Sequence, residues 1–173
     1  MIEKPEVLNN QAIILASDGS FTEAIACFKR AITIEKNNYL LWYNLGITYR
    51  DAGELKKAKH ALETAFSIQP KNEDVIETLA TICLSLKELD KVADLCDQGI
   101  SINSENPHFY NLMGVALFQL ESYKKAAELF EEAVFINPFY ADGLYNLRDT
   151  YSVLKNKSGE QECERRLKEI EKR

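Results

Sequence analysis

The sequence predicts an all-α protein built from stacked helical hairpins. Two segments, 42–70 and 110–138, carry matching residues two periods of 34 positions apart. The matching pairs are Trp42 and Tyr110, Leu45 and Met113, Gly46 and Gly114, Tyr49 and Leu117, Gly53 and Glu121, Ala58 and Ala126, Leu62 and Phe130, Ala65 and Ala133, and Pro70 and Pro138. Apolar residues within these segments follow helical spacing, and turn residues separate them. A period of this length is typical of helix pairs that bury their apolar faces against neighbouring copies.

The period divides the chain into five consecutive copies without insertions, at 5–38, 39–72, 73–106, 107–140 and 141–173. In the second copy Trp42, Leu45, Gly46 and Tyr49 have the spacing i, i+3, i+4, i+7, which places them on one face of a helix. Turn signals fall inside the copies at 18–20 and 52–54, and prolines stand near the joints between copies. We therefore expect one continuous domain over residues 5–173, with two helices in each copy.

Composition and charge exclude several classes of function. The 173 residues are 46% apolar and 28% charged, with a formal net charge of -6 and a pI near 5.1. An acidic chain without a basic stripe is not expected to bind nucleic acid. The first residues lack the pattern of a secretory signal, and no apolar run approaches the roughly 20 residues that span a bilayer. These observations predict a cytoplasmic protein without membrane insertion.

Catalytic and metal-binding motifs are absent from the sequence. The four cysteines form no paired-ligand motif, and Cys83 and Cys96 fall at packing positions, which favours core filling over metal binding. No phosphate-binding loop, metalloprotease motif or nucleophile elbow occurs. We therefore expect no enzyme activity, no cofactor and no metal.

The repeat pattern resembles the tetratricopeptide repeat (TPR) family. Gly46 and Gly114 stand where that family uses a small residue to let two helices approach, and Ala58 and Ala126 do the same on the opposite helix. Copies two and four match best, whereas the small position holds Ala12, Ala80 and Arg148 in the other copies. The resemblance implies a right-handed α-solenoid of about five helix-turn-helix hairpins. It also implies a concave groove lined mainly by the first helix of each hairpin.

The end of the chain is predicted to form a charged capping helix over residues 158–172. Its apolar stripe consists of Cys163, Leu167 and Ile170, and charged residues surround it. Three pairs have the i, i+4 spacing of helical ion pairs, namely Glu162 with Arg166, Glu164 with Lys168, and Glu169 with Arg173. Solenoids need such a polar end because the last copy has no further neighbour. The alternative is a charged docking helix for a partner.

The resemblance also indicates which side chains line the groove. The expected groove residues are Asn10, Tyr43, Asn44, Arg50, Glu77, Thr78, Thr81, Asn111, Leu112, Tyr145, Asn146 and Asp149. Asn10, Asn44 and Asn146 occupy the same place in their copies, and Asn111 lies one residue away from it. An amide side chain offers a donor and an acceptor, so it can pair with a peptide unit of any sequence. The alternative is that these asparagines are simply solvated.

Charge on the same face favours basic or neutral partners. The expected groove carries several carboxylates, with Arg50 as the single arginine among them. We expect a non-catalytic scaffold that binds an extended or helical segment of another protein. The alternative is a self-associating assembly module, with Phe135, Phe139 and Tyr140 as candidate contacts. Packing between repeats is the simpler interpretation of these three aromatic residues.

Overall fold

The computed structural model describes residues 4–172, and all regular secondary structure in that range is helical. The ten helices are α1 (Pro5–Ser17), α2 (Phe21–Ile34), α3 (Tyr39–Asp51), α4 (Leu55–Ile68), α5 (Glu73–Ser85), α6 (Leu89–Ile102), α7 (Pro107–Gln119), α8 (Tyr123–Ile136), α9 (Ala141–Val153) and α10 (Lys157–Glu171). The predicted all-α fold of helix-turn-helix pairs is confirmed. None of these helices is long and apolar enough to cross a bilayer.

The helices form two compact units that divide the chain between Lys87 and Glu88. Unit 1 contains α1 to α5, and unit 2 contains α6 to α10, so the predicted third copy contributes one helix to each unit. In unit 1, α1 pairs with α2 and α3 with α4, while α3 also touches α1 and α5. In unit 2, α7 pairs with α8 and α9 with α10, while α7 also touches α9.

The second helices of neighbouring pairs are splayed apart in each unit. Among the described residues, the backbones of α2 and α4 do not approach each other closely, and neither do those of α8 and α10. The backbones of the first helices α1 and α3, and of α7 and α9, do approach each other. Helix pairs that touch along one layer and separate along the other must fan open. We call the layer formed by α1, α3 and α5, or by α7 and α9, the first-helix face of its unit.

The turns inside the pairs use one backbone motif at five positions. Gly19, Gly53, Lys87, Glu121 and Lys155 are spaced 34 residues apart, and all have φ between 58° and 78°. After α3, the N–H of Gly53 donates to the carbonyl of Arg50 at 2.9 Å, and the N–H of Glu54 donates to that of Tyr49 at 2.8 Å. This pair of bonds is the Schellman motif, which satisfies carbonyls left free at a helix end. Three of these left-handed residues carry side chains, which cost strain that glycine avoids.

The joints between copies begin with capping asparagines. Asn38, Asn72 and Asn106 are 34 residues apart and precede α3, α5 and α7. The side chain of Asn72 accepts the N–H of Val75 at 3.0 Å, and the other two accept the N–H two residues ahead. Such caps satisfy amide groups that have no partner within the helix. They explain why the helices start in phase with the repeat.

Small residues permit the close helix contacts that the sequence predicts. A Cβ atom added to Gly46 would lie 2.6 Å from Cγ of Leu62, and one added to Gly114 would lie 2.5 Å from Cε1 of Phe130. These separations are well below the 3.5–4.0 Å of favourable carbon contacts. The structure adds Gly99, where an added Cβ would lie 2.4 Å from the ring of Phe109.

The four cysteines are all buried, and none of them forms a disulfide bond. Burial confirms the predicted role of Cys83 and Cys96 as core residues. Cys163 belongs to a core cluster of unit 2 that also contains Phe130, Leu144 and Leu167. Burial raises the pKa of the Cys163 thiol, which disfavours the reactive thiolate.

The last helix docks by one stripe, as predicted, but its ion pairs differ from the prediction. Arg165, rather than Arg166, pairs with Glu162 and also with Glu169. Arg166 instead donates to the carbonyl oxygens of Val134 and Pro138, at 3.4 and 2.9 Å. These oxygens lie at and just beyond the end of α8, where helix carbonyls lack intrahelical partners and attract a cation.

The other two predicted pairs of the last helix have different outcomes. Glu164 and Lys168 form no ion pair among the described residues. Arg173 lies outside the described range, so its predicted pair with Glu169 stays a prediction.

The interpretation of Phe135 as a packing residue is wrong, whereas the role of Phe139 stays a prediction. The Phe135 residue is 80% exposed and Phe139 is 54% exposed. Phe135 directly follows the buried Val134 on α8, so its ring points away from the core of unit 2. Tyr140 does pack, since its ring lies 4.9 Å from that of His108.

Candidate functional site

On the first-helix face of unit 1, polar side chains join neighbouring helices. Asn44 on α3 donates from Nδ2 to Oδ1 of Asn9 on α1 at 3.0 Å. The hydroxyl of Tyr43, also on α3, lies 3.3 Å from Oγ1 of Thr78 on α5. Both pairs are partly buried and separated by 35 residues, which is one repeat plus one position. Three first helices are therefore tied together by side chains that remain accessible on the surface.

Unit 2 contains the same asparagine pair. Asn146 on α9 donates from Nδ2 to Oδ1 of Asn111 on α7 at 2.8 Å, again across 35 residues. Its members follow Asn9 and Asn44 by three whole repeats. Asn111 is only 8% exposed, so its amide serves mainly to hold Asn146. We call these bonded pairs on the two first-helix faces the amide ladder.

Buried threonines support both ladder asparagines. Thr48 donates from Oγ1 to the carbonyl of Asn44 at 2.8 Å, and Thr150 donates to that of Asn146 at 2.7 Å. Each bond satisfies a hydroxyl buried in the helix layer, where an unpaired polar group would be costly. Sequence reasoning missed these threonines, although they too recur after three repeats.

The predicted groove residues differ in exposure. Asn10, Arg50, Tyr145 and Asp149 are exposed, whereas Tyr43, Asn44, Glu77, Thr78, Thr81 and Asn146 are partly buried, and Asn111 and Leu112 are buried. Asn10, Tyr43, Asn44, Arg50, Glu77, Thr78 and Thr81 belong to unit 1, and the others belong to unit 2. Leu112 is 9% exposed and has little surface to offer a ligand.

The hydrogen bond between Asn9 and Asn44 was not predicted from the sequence. The three in-phase asparagines do not bond to one another; Asn44 and Asn146 each reach the residue one position earlier in the neighbouring copy. The one-residue displacement of Asn111 was therefore the signal of the pairing.

Two arginines offset part of the negative charge on these faces. Nε of Arg50 lies 2.8 Å from the Asp51 carboxylate, and Nη2 of Arg148 lies 2.7 Å from that of Asp149. The hydrogen bond to Asp149 raises the pKa of Arg148. The guanidinium of Arg148 also lies 5.1 Å from the ring centre of Tyr145, within the range of a cation–π contact. Sequence analysis counted Arg50 alone, so it overestimated the acidity.

The described residues do not assemble a metal site. No group of three or more His, Cys, Asp or Glu side chains between residues 4 and 172 is arranged to hold an ion. Buried side-chain nitrogen and oxygen atoms in this range all have hydrogen-bond partners, so no orphaned polar atom points to a missing cofactor.

Three family models match the chain in overlapping stretches. One described as "TPR repeat" matches residues 14–50, and two described as "Tetratricopeptide repeat" match residues 49–116 and 93–141. The chain is a tetratricopeptide repeat protein. The TPR fold is typical of scaffolds for protein–protein interaction.

Curated relatives match half of this TPR protein. BBSome complex member BBS4 of Bos taurus is 29% identical over 87 residues, which are 50% of this chain and 17% of that protein. The Mus musculus protein of the same name is 28% identical over 85 residues, which are 49% of this chain and 16% of that protein. The match therefore covers a small part of these relatives.

Solved structures share the TPR fold over nearly the whole chain. MamA from Desulfovibrio magneticus RS-1 has a TM-score of 0.86 at 19% identity, covering 99% of this chain and 97% of that one. YrrB, described as a TPR protein with an unusual peptide-binding site, has a TM-score of 0.73 at 21% identity, covering 94% of this chain and 84% of that one. Identities this low support the shared fold.

Proposed function

We propose that this TPR protein is a non-catalytic adaptor whose first-helix faces bind an extended or helical segment of another protein. The observation that carries the proposal is the amide ladder. Asn44 and Asn146 are each held in place by a hydrogen bond across neighbouring helices, at 3.0 and 2.8 Å. Side chains fixed before binding lose less conformational freedom when a ligand arrives.

The hydrogen-bonding groups that the ladder leaves unused suit a peptide backbone. In its bond to Asn9, Asn44 uses one of the two N–H donors of its side-chain amide. The side-chain oxygen Oδ1 of Asn44 has no partner among the described residues. One amide can therefore donate to a peptide carbonyl and accept from a peptide N–H at the same time. The peptide-binding site named for YrrB supports the same use of this fold.

Flanking side chains supply the selectivity in this proposal. Tyr43 and Tyr145 offer aromatic surface, and Tyr145 is 39% exposed. Glu6, Asp74 and Asp142 are exposed carboxylates on first helices, and they favour a basic or neutral segment over an acidic one. A cytoplasmic location belongs to the proposal and is supported by four buried cysteines that form no disulfide bond.

Affinity capture with ladder variants tests the adaptor function. Tyr43→Ala, Asn44→Ala and Asn146→Ala are combined in one protein, which is used beside the wild type to capture partners from the source lysate. Each captured partner is then divided into short peptides, and their binding is measured directly by calorimetry. The control is Asn37→Ala, which removes an exposed asparagine from the turn between α2 and α3.

The expected result is a partner whose binding segment is lost with the triple variant and kept with the control. Circular dichroism must show unchanged helicity, because the substituted side chains bridge neighbouring helices at the surface and do not belong to the buried apolar core. Equal binding of every captured segment by wild type and triple variant would refute the ladder as the site.

Self-association is a second candidate function, and the exposure of Phe135 favours it. An aromatic side chain that is 80% exposed on a helix is a strong candidate for an intermolecular contact. This function uses a different surface from the amide ladder, so the two candidates can be tested separately.

A further inference from the structure

The splayed second helices of unit 1 leave a groove above α3. Its floor is apolar and consists of Ile32 from α2, Ala61 from α4, and Trp42, Leu45 and Tyr49 from α3. The groove has a volume of about 610 Å³, within the range of ligand-binding clefts. We call it outer groove 1, since it lies between α2 and α4 and not on the first-helix face.

Unit 2 repeats this groove three repeats later in the sequence. Outer groove 2 lies between α8 and α10, with a volume of about 500 Å³. Val134, Leu147, Tyr151 and Cys163 line it and correspond in phase to Ile32, Leu45, Tyr49 and Ala61 of outer groove 1. The two grooves thus share one architecture, and their differences can be compared position by position.

The rims of the two grooves differ in charge, since outer groove 1 is bordered by basic residues and outer groove 2 by two glutamates together with Arg166. Outer groove 1 is bordered by four basic side chains, which are Lys29, Lys56, Lys57 and His60. At the places of Lys29 and His60, outer groove 2 has Glu131 and Glu162.

The tyrosine of each groove contacts the charged side chains of its own rim, which are lysines beside Tyr49 and a glutamate beside Tyr151. In outer groove 1, Nζ of Lys29 and Nζ of Lys57 lie 5.9 and 5.6 Å from the ring centre of Tyr49. In outer groove 2, the hydroxyl of Tyr151 donates to Oε1 of Glu131 at 2.6 Å. The difference in charge therefore extends from the rim to the floor.

An acidic ridge with an aromatic end runs along α8 beside outer groove 2. Glu128, Glu131, Glu132 and Phe135 have the spacing i, i+3, i+4, i+7, and all four are exposed. We call these four residues the acidic–aromatic ridge. They place three carboxylates and one exposed ring on one face of a single helix, and Glu131 also accepts the Tyr151 hydroxyl.

We propose that the acidic–aromatic ridge of one copy docks into outer groove 1 of a second copy. Phe135 enters the groove against Trp42, the partly buried member of its apolar floor, and the ridge carboxylates face Lys29 and Lys56. Complementary charge selects a second copy as the occupant, since the chain itself carries both the basic groove and the acidic ridge. The contact is heterologous, because each copy presents the ridge and the groove on different patches. The proposal deepens the second candidate function and does not depend on the amide ladder.

Two charge-reversed variants test the contact by complementation. The groove variant carries Lys29→Glu and Lys56→Glu, and the ridge variant carries Glu128→Lys and Glu132→Lys. All four positions are exposed, so the fold is expected to persist. Each variant alone pairs like charges and should stay monomeric. An equimolar mixture should associate, because the ridge of the groove variant meets the intact basic groove of the ridge variant.

Sedimentation velocity is measured from about 1 µM to about 1 mM, the range of weak to moderate affinities. Wild type is expected to increase in mass with concentration, and Phe135→Ser should weaken this association about tenfold or more, as removal of an aromatic anchor does. Leu120→Ser is the matched control, because Leu120 is also an exposed apolar residue of unit 2, at 57%, but does not line the ridge or either groove. This control should associate as wild type does.

Three outcomes would overturn the proposal: wild type that stays monomeric throughout the range, association that persists in both charge-reversed variants, or a mixture that fails to associate. The triple ladder variant is run in the same series. Its mass should match that of wild type, so a failure of the adaptor function and a failure of this contact give different results.

Discussion

Replacement of Gly114 by alanine provides a direct test of how closely the helices of a pair must approach. An alanine Cβ at this position would lie 2.5, 2.8 and 2.9 Å from Cε1, Cδ1 and Cζ of Phe130. The ring of Phe130 is 1% exposed and packs in a cluster with Leu144 and Leu147, so it has no free space to enter. Because three ring atoms are overlapped by about 1 Å relative to normal contact, we expect a cost near the upper end of overpacking, about 3 kcal/mol.

Alanine also favours the helix over glycine by about 1 kcal/mol, which offsets part of this cost. The net expectation for Gly114→Ala is a loss of about 2 kcal/mol in the free energy of unfolding. For a chain of this size about 2–4 °C correspond to 1 kcal/mol, so the melting temperature should fall by about 4–8 °C. Urea unfolding and thermal unfolding are both followed by circular dichroism.

A double-mutant cycle with Phe130→Leu separates the clash from other effects. Leucine removes Cε1 and Cζ, two of the three ring atoms that the new alanine Cβ would overlap. The double variant should therefore lose less stability than the sum of the two single losses, by about 1 kcal/mol. Additive losses, or a Gly114→Ala protein as stable as wild type, would refute the reasoning.

Three further predictions concern packing, strain and pH. Gly46→Leu should lower the melting temperature more than Ala80→Ser, because it forces a large side chain into a close helix contact; equal temperatures would contradict this. Glu121→Gly should raise the urea midpoint, because glycine relieves about 1–2 kcal/mol of strain at a left-handed residue. The greater conformational entropy of glycine in the unfolded chain offsets about 0.4–1 kcal/mol of this gain. Glu121→Ala is the control and should bring no gain in stability. Burial and a hydrogen bond to Glu131 raise the pKa of Tyr151 above its ordinary 10.0, so its stabilising effect is complete below pH 10 and declines above it. Tyr151→Phe should then show a smaller loss of stability above that pH than wild type, and parallel curves would argue against the assigned bond.

The fold could be predicted because its signals repeat. The spacing of Gly46 and Gly114, together with the helical spacing around them, identified both the helix pairs and their close contacts. The left-handed turn residues could be predicted only in part. Gly53 signals the turn by its type, whereas Glu121 has no such preference and is recognisable only by its phase. Residue type alone would have missed it.

The site could be predicted less completely, because pairing between helices depends on their offset. The phase of Asn44 and Asn146 and the one-residue displacement of Asn111 were visible in the sequence. Their bonds to Asn9 and Asn111 depend on how neighbouring helices stack, which the sequence does not show. Whether the ladder binds a peptide stays a prediction.

Residue type alone left the role of Phe135 open between an exposed contact and packing between repeats, since an aromatic residue is usually assigned to the core. The corresponding residues Thr33, Ser67 and Ser101 are polar and exposed. Comparison across the copies was therefore the signal that could have placed Phe135 on the surface.

One helix, α3, contributes residues to both the amide ladder and outer groove 1. Asn44 faces the amide ladder, while Leu45, the next residue, forms the floor of outer groove 1. A substitution in this helix that shifts its axis would alter both surfaces at once. A loss of peptide binding in an α3 variant therefore identifies the surface involved only when self-association has been measured on the same sample. Variants on α2 or α4 avoid this ambiguity, because they border the groove without contributing to the ladder.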